Sequence, residues 1–434
     1  MKLSRLRSEL TGSKLSRDIL WTFGSFGVLA ASGIVINVAL VFLRDASALG
    51  IFNQAYSVYI VLSQLAVFGF HHSVLRNAAY HRDDRDELAR ILWSALVPAV
   101  AIGSIWAILV WNLEPSIARL LGSDSAARAT AYAGLGLALF PASKVLLAFL
   151  NGLRCMEAFS VLQALRYIVI TAVAIGVAAG PGAFETAALG FVLAEAATSA
   201  GALFYIFYRR LCPMGLPRSD WIARHVRFGS KSLVAGMFAE ANTRVDVIML
   251  GILMSDTAVG IYSFAAMLID GAAHIITVIR TNFNPVLVRV IKENDWSGAA
   301  NLLSKSKGLM TALFAGLTVV ILAGFWMFTT QLFPELGLAG GLPALAILFV
   351  GLTIVSGLMP FDNLLLVGGF PGLQTLQQLA AVLANVAGNW LMIPLFGISG
   401  AALGTVCGYM AGIALLVLMA RRRFGWNLLT NRTR

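Results

Sequence analysis

Charge is scarce in this chain: 12% of its 434 residues are Asp, Glu, Lys or Arg, against 59% hydrophobic. A soluble domain carries about 25% charged residues, so no water-facing domain of ordinary composition fits in the sequence. Cysteine is scarcer still. Cys155, Cys212 and Cys407 are odd in number and far apart, which excludes a disulfide framework or a thiolate metal motif. The five histidines are scattered, and no P-loop, zinc-ligand set or G-x-S-x-G elbow occurs. ATP fuel and metal-assisted chemistry have no residues to carry them, so no cofactor is expected.

What the chain does have is apolar length. Stretches at about 19–43, 49–72, 91–112, 129–153, 159–180, 184–208, 228–253, 257–280, 308–330, 341–366, 373–394 and 398–420 are each long enough to cross a bilayer. Mean hydropathy is +0.81. Backbone groups in hydrocarbon must bond internally, and no alternating barrel pattern appears, so the spans are expected to be helices. The fold class is an all-α, polytopic membrane protein of about twelve transmembrane helices. Residues 1–18 are polar and basic without a cleavage site, so they are expected to stay on the chain as a cytoplasmic segment.

The net charge of +11 is distributed in alternate breaks between spans. Five of the 32 lysines and arginines precede the first span and five follow the last. The opposite set of breaks holds only Arg44, Arg119 and Arg128. By the positive-inside rule both termini lie in the cytoplasm. Clusters such as Arg209-Arg210 and Arg421-Arg422-Arg423 therefore read as topology anchors that attract anionic lipid headgroups, not as nucleic-acid contacts.

The chain also repeats itself. Ala48-Leu49-Gly50-Ile51-Phe52-x-x-Ala55 returns as Ala258-Val259-Gly260-Ile261-Tyr262-x-x-Ala265. Pro141-x-x-Lys144-x-Leu146-Leu147 returns as Pro360-x-x-Asn363-x-Leu365-Leu366, and Leu162-Gln163-x-Leu165 as Leu376-Gln377-x-Leu379. Ala187-Ala188-Leu189-Gly190-x-Val192 returns as Ala401-Ala402-Leu403-Gly404-x-Val406. Four matches in one order predict two parallel six-helix repeats forming two lobes, 19–208 and 228–420, joined by a cytoplasmic linker at 209–227 and followed by a basic tail at 421–434. Pro141 and Pro360 are placed to bend their helices, as hinges or as plain kinks.

Near the C-terminal end stands Ala381-x-x-x-Asn385-x-x-x-Asn389-x-x-Met392-Ile393-Pro394-x-x-Gly397-Ile398-x-Gly400-Ala401-Ala402. With Thr243-Arg244-Val245-Asp246 and the Gly260-Ile261-Tyr262 turn, this resembles the polysaccharide-biosynthesis exporters, the Wzx-type flippases of the multidrug and oligosaccharidyl-lipid exporter superfamily. The resemblance implies a bacterial inner-membrane flippase for undecaprenyl-diphosphate-linked oligosaccharides.

Charges inside spans are costly, about 2.5–3.5 kcal/mol each on insertion scales, so each needs a partner or a wet cavity. Lys144 and Arg166 fall at similar depth on consecutive spans, and neither has an acid one turn away. A diphosphate would supply the missing anion, and arginine offers it a planar fork. The alternative is that Arg166 snorkels along its stem while Lys144 pairs with Glu195. Glu240 lies one turn before Arg244, the order of a structural i,i+4 pair, and Asp270 and His274 share that spacing. Lys144, Arg166, Arg244 and Arg280 are the candidate substrate cations. Glu240, Asp246 and Asp270 are the candidate ion-coupling carboxylates, with Na+ or H+ as the ion. His71-His72 reads as an interfacial dipeptide, and Asn385 and Asn389 as groups that hydrogen-bond a sugar or a neighbouring helix.

The expectation is a flippase working by alternating access in the bacterial inner membrane. Its partners would be the lipid-linked oligosaccharide, membrane lipids, a coupling ion and a polysaccharide polymerase; it would act as a monomer and bind no nucleic acid. A cation-coupled drug exporter of the same superfamily is the alternative. A glycosyltransferase or polymerase is disfavoured, since the longest outer break, about 113–128, holds only Glu114, Arg119, Asp124 and Arg128 as charges.

Overall fold

The computed structural model describes residues 13–293, 296–430 and 432–433. Its backbone forms two compact units, the first comprising the chain up to Arg44 and Gln54–Met237, the second Asp45–Asn53 and Phe238–Arg434. Helices account for nearly all of it. The strands among the described residues are the two-residue β1 (Trp426–Asn427) and β2 (Arg432–Thr433), paired antiparallel.

The helices of the first unit are α1 (Ser13–Leu43), the greater part of α2 (Ala46–Val67), α3 (Phe70–Tyr80), α4 (Arg85–Asn112), α5 (Glu114–Leu121), α6 (Asp124–Leu135), α7 (Phe140–Gly152), α8 (Met156–Ala179), α9 (Leu189–Tyr208) and most of α10 (Ser219–Asn242). Polar residues set the ends. Asp84 caps α4 by accepting from the Asp86 and Glu87 amides, and Ser123 caps α6 through the Ala126 amide. Arg44 donates to the carbonyls of Ala178 and Gly180 at the end of α8, satisfying groups the helix leaves open. The core packs α3, α4, α7 and α9 through residues such as Phe70, Leu92, Phe149 and Ile206.

The second unit holds α11 (Val245–Leu253), α12 (Asp256–Glu293), α13 (Trp296–Trp326), α14 (Leu342–Ser356), α15 (Leu364–Val367), α16 (Pro371–Phe396) and α17 (Ile398–Phe424). Its core gathers Leu287, Leu303, Phe361, Leu365 and Leu416. Trp426 and Leu428 are fully buried in it. The segment expected as a basic tail is thus folded back: Lys307 Nζ donates to the Leu428 and Leu429 carbonyls at 3.4 and 3.2 Å.

Among the described residues nine helical segments are long and apolar enough to cross a membrane, and eleven when each of two bent pairs is one span. The pairs are α2 with α3, bent 51° at Phe68-Gly69, and α6 with α7, bent 45° just ahead of Pro141. The remaining expected span, 228–253, is the junction of α10 and α11 and breaks at Thr243-Arg244, where Asn242, Thr243, Arg244 and Asp246 interrupt the apolar run. Pro360 likewise sits in a 3-10 turn, Met359–Phe361, between α14 and α15.

The first of the sequence repeats is visible as a contact. The start of α2 belongs to the second unit because it crosses the start of α12 there. A Cβ on Gly50 would lie 1.8 Å from the Asp256 carbonyl oxygen, and one on Gly260 would lie 1.7 Å from that of Ala46. The two contacts are reciprocal under the same offset of 210 residues (256 − 46 and 260 − 50). Only glycine at both positions lets the backbones approach this closely. The caps correspond too: Asp45 accepts from the Ala48 amide, and Ser255 from the Ala258 amide.

Candidate functional site

In the first unit, α7 and α8 bring Lys144 and Arg166 to one aromatic ring. The Lys144 ammonium lies 5.4 Å and the Arg166 guanidinium 5.5 Å from the centre of Phe140. Tyr59 meets the same ring edge-on at 5.7 Å. The helix break ahead of Pro141 places Phe140 at the first turn of α7, so that Ser143 and Lys144 follow on its next turn.

The ion pairing differs from both sequence-based alternatives. Arg166 does not snorkel, and Glu195 on α9 pairs with it rather than with Lys144. Arg166 is 4% exposed and Glu195 1%, with Nη2 to Oε2 at 2.9 Å. Ser143 accepts from Arg166 at 2.6 Å and donates to Glu195, and the Tyr59 hydroxyl donates to the other carboxylate oxygen at 3.2 Å. A buried pair is sustained only when its remaining lone pairs are met, and here two hydroxyls meet them. Lys144 is half-buried, within electrostatic reach of His71 and His72. Those two rings, 3.9 Å apart at the first turn of α3, stand just past the Phe68-Gly69 break and not at a plain helix end.

The second unit holds the other candidates. The expected Glu240–Arg244 pair does not form as a helical i,i+4 contact, because α10 ends at Asn242 between them. Arg244 faces Asp270 instead, at 3.9 Å, and Asp270 is over half exposed. His274 takes the backbone carbonyl of Asp270 at 2.7 Å, so the Asp270–His274 pairing is with the main chain rather than the carboxylate. Glu240 is half-buried in the last turn of α10. Arg280 forms an ion pair with Asp362 at 3.2 Å, and Gln377 donates to the same carboxylate at 2.6 Å.

Asp246 is the buried carboxylate of this unit, 8% exposed at the first turn of α11. Its oxygens accept from the Tyr262 hydroxyl, the Val247 amide at 3.0 Å and the Thr405 hydroxyl at 3.4 Å. Among the described residues no ion pair includes it. Beside Thr405, Gly404 leaves room for Asn389: a Cβ there would fall 2.6 Å from Asn389 Oδ1. Asn389 donates to Asn385 at 2.6 Å, while its own Oδ1 is buried without a donor among the described residues. No cluster of three or more His, Cys, Asp or Glu capable of holding a metal occurs among the described residues.

The sequence gives little sign of Tyr59, Ser143, Tyr262 or Thr405 as site residues. Their only signal is that a hydroxyl in an apolar span needs a partner, which many helix backbones also supply.

The family model for polysaccharide biosynthesis proteins matches residues 15–290, well over half of the chain. The chain belongs to that family. Over 425 residues it is 23% identical to the Lipid III flippase of Escherichia coli (strain K12), covering 94% of this chain and 99% of that protein, and equally to the Lipid III flippase of Shigella flexneri. Its fold is similar to that of a multidrug resistance MATE family transporter of the MOP superfamily, solved in an inward-facing conformation, at TM-score 0.72 and 15% identity over 93% of this chain and 95% of that one. The Lipid II flippase MurJ in an inward closed conformation matches at TM-score 0.72 and 13% identity, over 95% of this chain and 90% of that one. These likenesses make the family member an all-α, multi-span membrane protein, as the spans require.

Proposed function

We propose that this protein is a flippase that carries an undecaprenyl-diphosphate-linked oligosaccharide from the inner to the outer leaflet of a bacterial cytoplasmic membrane, both of its termini being cytoplasmic. The observation that carries the reading is the ring of Phe140 flanked by Lys144 and Arg166 in the apolar interior of a polysaccharide biosynthesis family member. End-to-end similarity to a protein named a Lipid III flippase supports it.

Within this reading the cations divide their roles. Three of the four candidates, Arg166, Arg244 and Arg280, are in ion pairs with Glu195, Asp270 and Asp362. Lys144, beside Phe140 and within electrostatic reach of the first turn of α3, is assigned the phosphate contact, as a point charge that tolerates a moving ligand. Arg166 is a positioning residue, fixed by Glu195 and Ser143 and holding Phe140 against Lys144. A phosphate near Lys144 would also meet the first turn of α3, where the backbone of a helix start favours anions.

Coupling falls to Asp246. One carboxylate and the hydroxyls of Tyr262 and Thr405 make a hard-oxygen environment suited to Na+ or to a proton. A carboxylate held by two hydroxyls and a backbone amide changes its ligand without breaking a salt bridge.

The test is binding of undecaprenyl diphosphate and its oligosaccharide conjugate to protein in nanodiscs. Lys144→Gln should lower affinity for both by about tenfold, the worth of one charge-assisted contact, with folded yield unchanged. Wild-type affinity in that variant would overturn the phosphate assignment.

A further inference from the structure

Near the start of α16 two buried glutamines share one face, a turn apart. Gln374 is 5% exposed and Gln377 is 3% exposed. Neither side-chain oxygen nor nitrogen of Gln374 has a hydrogen-bond partner among the described residues, and the same holds for Gln377 Oε1. Gln377 Nε2 donates to Asp362, which Arg280 holds from the other side. The pair at the front is open, with Arg280 and Asp362 side chains 31% and 28% exposed. One turn after Arg280, half-buried Phe283 packs edge-on against Phe361, the neighbour of Asp362, at 5.6 Å.

Leaving a buried amide unsatisfied is costly, so these three polar atoms call for an occupant that both donates and accepts. The cluster's charges cancel: Arg280 neutralises Asp362, and the rest is amide. A phosphate would find no net attraction here. A neutral polyol would find the planar donor and acceptor of Gln374 and the acceptor of Gln377, with the Phe283 and Phe361 rings beside Asp362.

The repeat provides a control. The offset of 214 residues that matches Gln163 to Gln377 sets Ser160 opposite Gln374 (160 + 214). Ser160 is also buried, yet the first unit folds with a short hydroxyl where the second has a long amide. The helix position therefore does not itself demand an amide.

We propose that Gln374, Gln377, Asp362 and Arg280 form a binding site for an uncharged sugar, and that it receives the saccharide portion of the lipid-linked substrate. The proposal rests on the flippase reading for the identity of the carrier lipid.

The experiment compares nanodisc-embedded wild type, Gln374→Met and Gln377→Met for binding of undecaprenyl diphosphate with and without a neutral oligosaccharide. Wild type should bind the glycosylated lipid more tightly. Gln374→Met should lose about tenfold on that lipid alone, the worth of a pair of neutral hydrogen bonds, and Gln377→Met, with one open oxygen, about fivefold, while both bind bare undecaprenyl diphosphate as before. Equal binding of both lipids by wild type, or unchanged discrimination in both variants, overturns the sugar site and leaves the flippase reading standing. If wild type binds neither lipid, the flippase reading falls, and saturation-transfer NMR with maltotriose decides the site: transfer lost in the variants sustains it, and no transfer to wild type overturns it. Should Gln374→Met fail to fold, Gln374→Asn, which keeps the amide but withdraws it by one methylene, carries the same expectations.

Discussion

Each unit buries a carboxylate, and the two are held in opposite ways. Glu195 in the first unit faces an arginine, a serine and a tyrosine, so its charge is balanced and its oxygens are filled. Asp246 in the second faces two hydroxyls and an amide, with no ion pair among the described residues. A charge-paired network of the first kind resists change, because losing either charge leaves the other buried in low dielectric. A carboxylate of the second kind keeps a charge that an incoming ion can answer. The first arrangement suits a scaffold, and the second is the one proposed for coupling.

The sharpest way to break this contrast is to remove Glu195. Glu195→Ala strands the Arg166 guanidinium beside Ser143 and Tyr59, and losing one partner of a buried pair costs about 3–5 kcal/mol. Folded protein recovered from membranes should fall steeply. The double variant Arg166→Met with Glu195→Leu should recover most of that loss, since apolar replacement of a whole buried pair is close to neutral. A thermal midpoint for Glu195→Ala equal to wild type would show that the network is not structural, and the contrast would collapse.

Next in size is the helix crossing of the second unit. Gly260→Ala sets a methyl group 1.7 Å from the Ala46 carbonyl, so α2 and α12 must separate, at about 1–3 kcal/mol for overpacking. Gly50→Ala, at 1.8 Å from the Asp256 carbonyl, should match it. Because the two contacts form one crossing, the double variant should cost less than the sum. Thermal unfolding of all three checks this, and strict additivity would mean the crossing is not a single joint.

A comparable effect, confined to part of the first unit, comes from His225 at the start of α10. Its Nδ1 meets Ser73 at 2.8 Å and its Nε2 the Ile91 carbonyl at 3.1 Å, beside Trp221, whose indole donates to Glu87 at 2.9 Å. Burial holds the imidazole neutral, lowering it from 6.5 to about 4, with nearby Arg224 pressing the same way and the Ile91 hydrogen bond opposing. The unfolded chain takes up a proton first as pH falls. The stabilisation is thus complete above about pH 6.5 and is lost towards pH 4. At pH 5 the loss is about 2 kcal/mol. Proteolysis around Pro213–Pro217 should quicken between pH 7 and pH 5 in wild type and be insensitive to pH in His225→Phe; equal pH sensitivity in both would remove His225 from this role.

These particulars mark what the sequence does and does not disclose. Span positions are legible because hydrocarbon imposes length and composition residue by residue. The repeat that carries the glycines is legible because the motif occurs twice, while the crossing they permit is not, since the sequence does not bring the two copies together. The pairing of Arg166 with Glu195 is not, since 29 residues and a helix turnaround separate them and Lys144 is an equally good partner on paper. Glu240 and Arg244 do not share a helix for a local reason: spacing places side chains on one face only along an unbroken helix, and the break at Thr243 falls between them. Trp221 and His225 escape notice because docking of a segment that reads as a polar linker depends on Glu87, Ser73 and Ile91, all more than 130 positions away.

The smallest effect on folding should come from the group with the largest expected effect on transport. In Asp246→Asn the amide oxygen still accepts from Tyr262 or Val247, and the buried charge is gone. Stability should therefore stay within about 1 kcal/mol of wild type, against the several lost with Glu195. Flipping or substrate binding that depends on Na+ or on pH in wild type should lose that dependence, because the variant has no charge for either ion to answer. Proteoliposome transport at fixed membrane potential, across a series of Na+ concentrations and pH values, measures it beside thermal unfolding of the same preparation. A variant that unfolds like Glu195→Ala would make Asp246 part of the scaffold. One that folds normally and keeps its ion response would move the coupling to another carboxylate, with Asp270 first in line as the partner of Arg244.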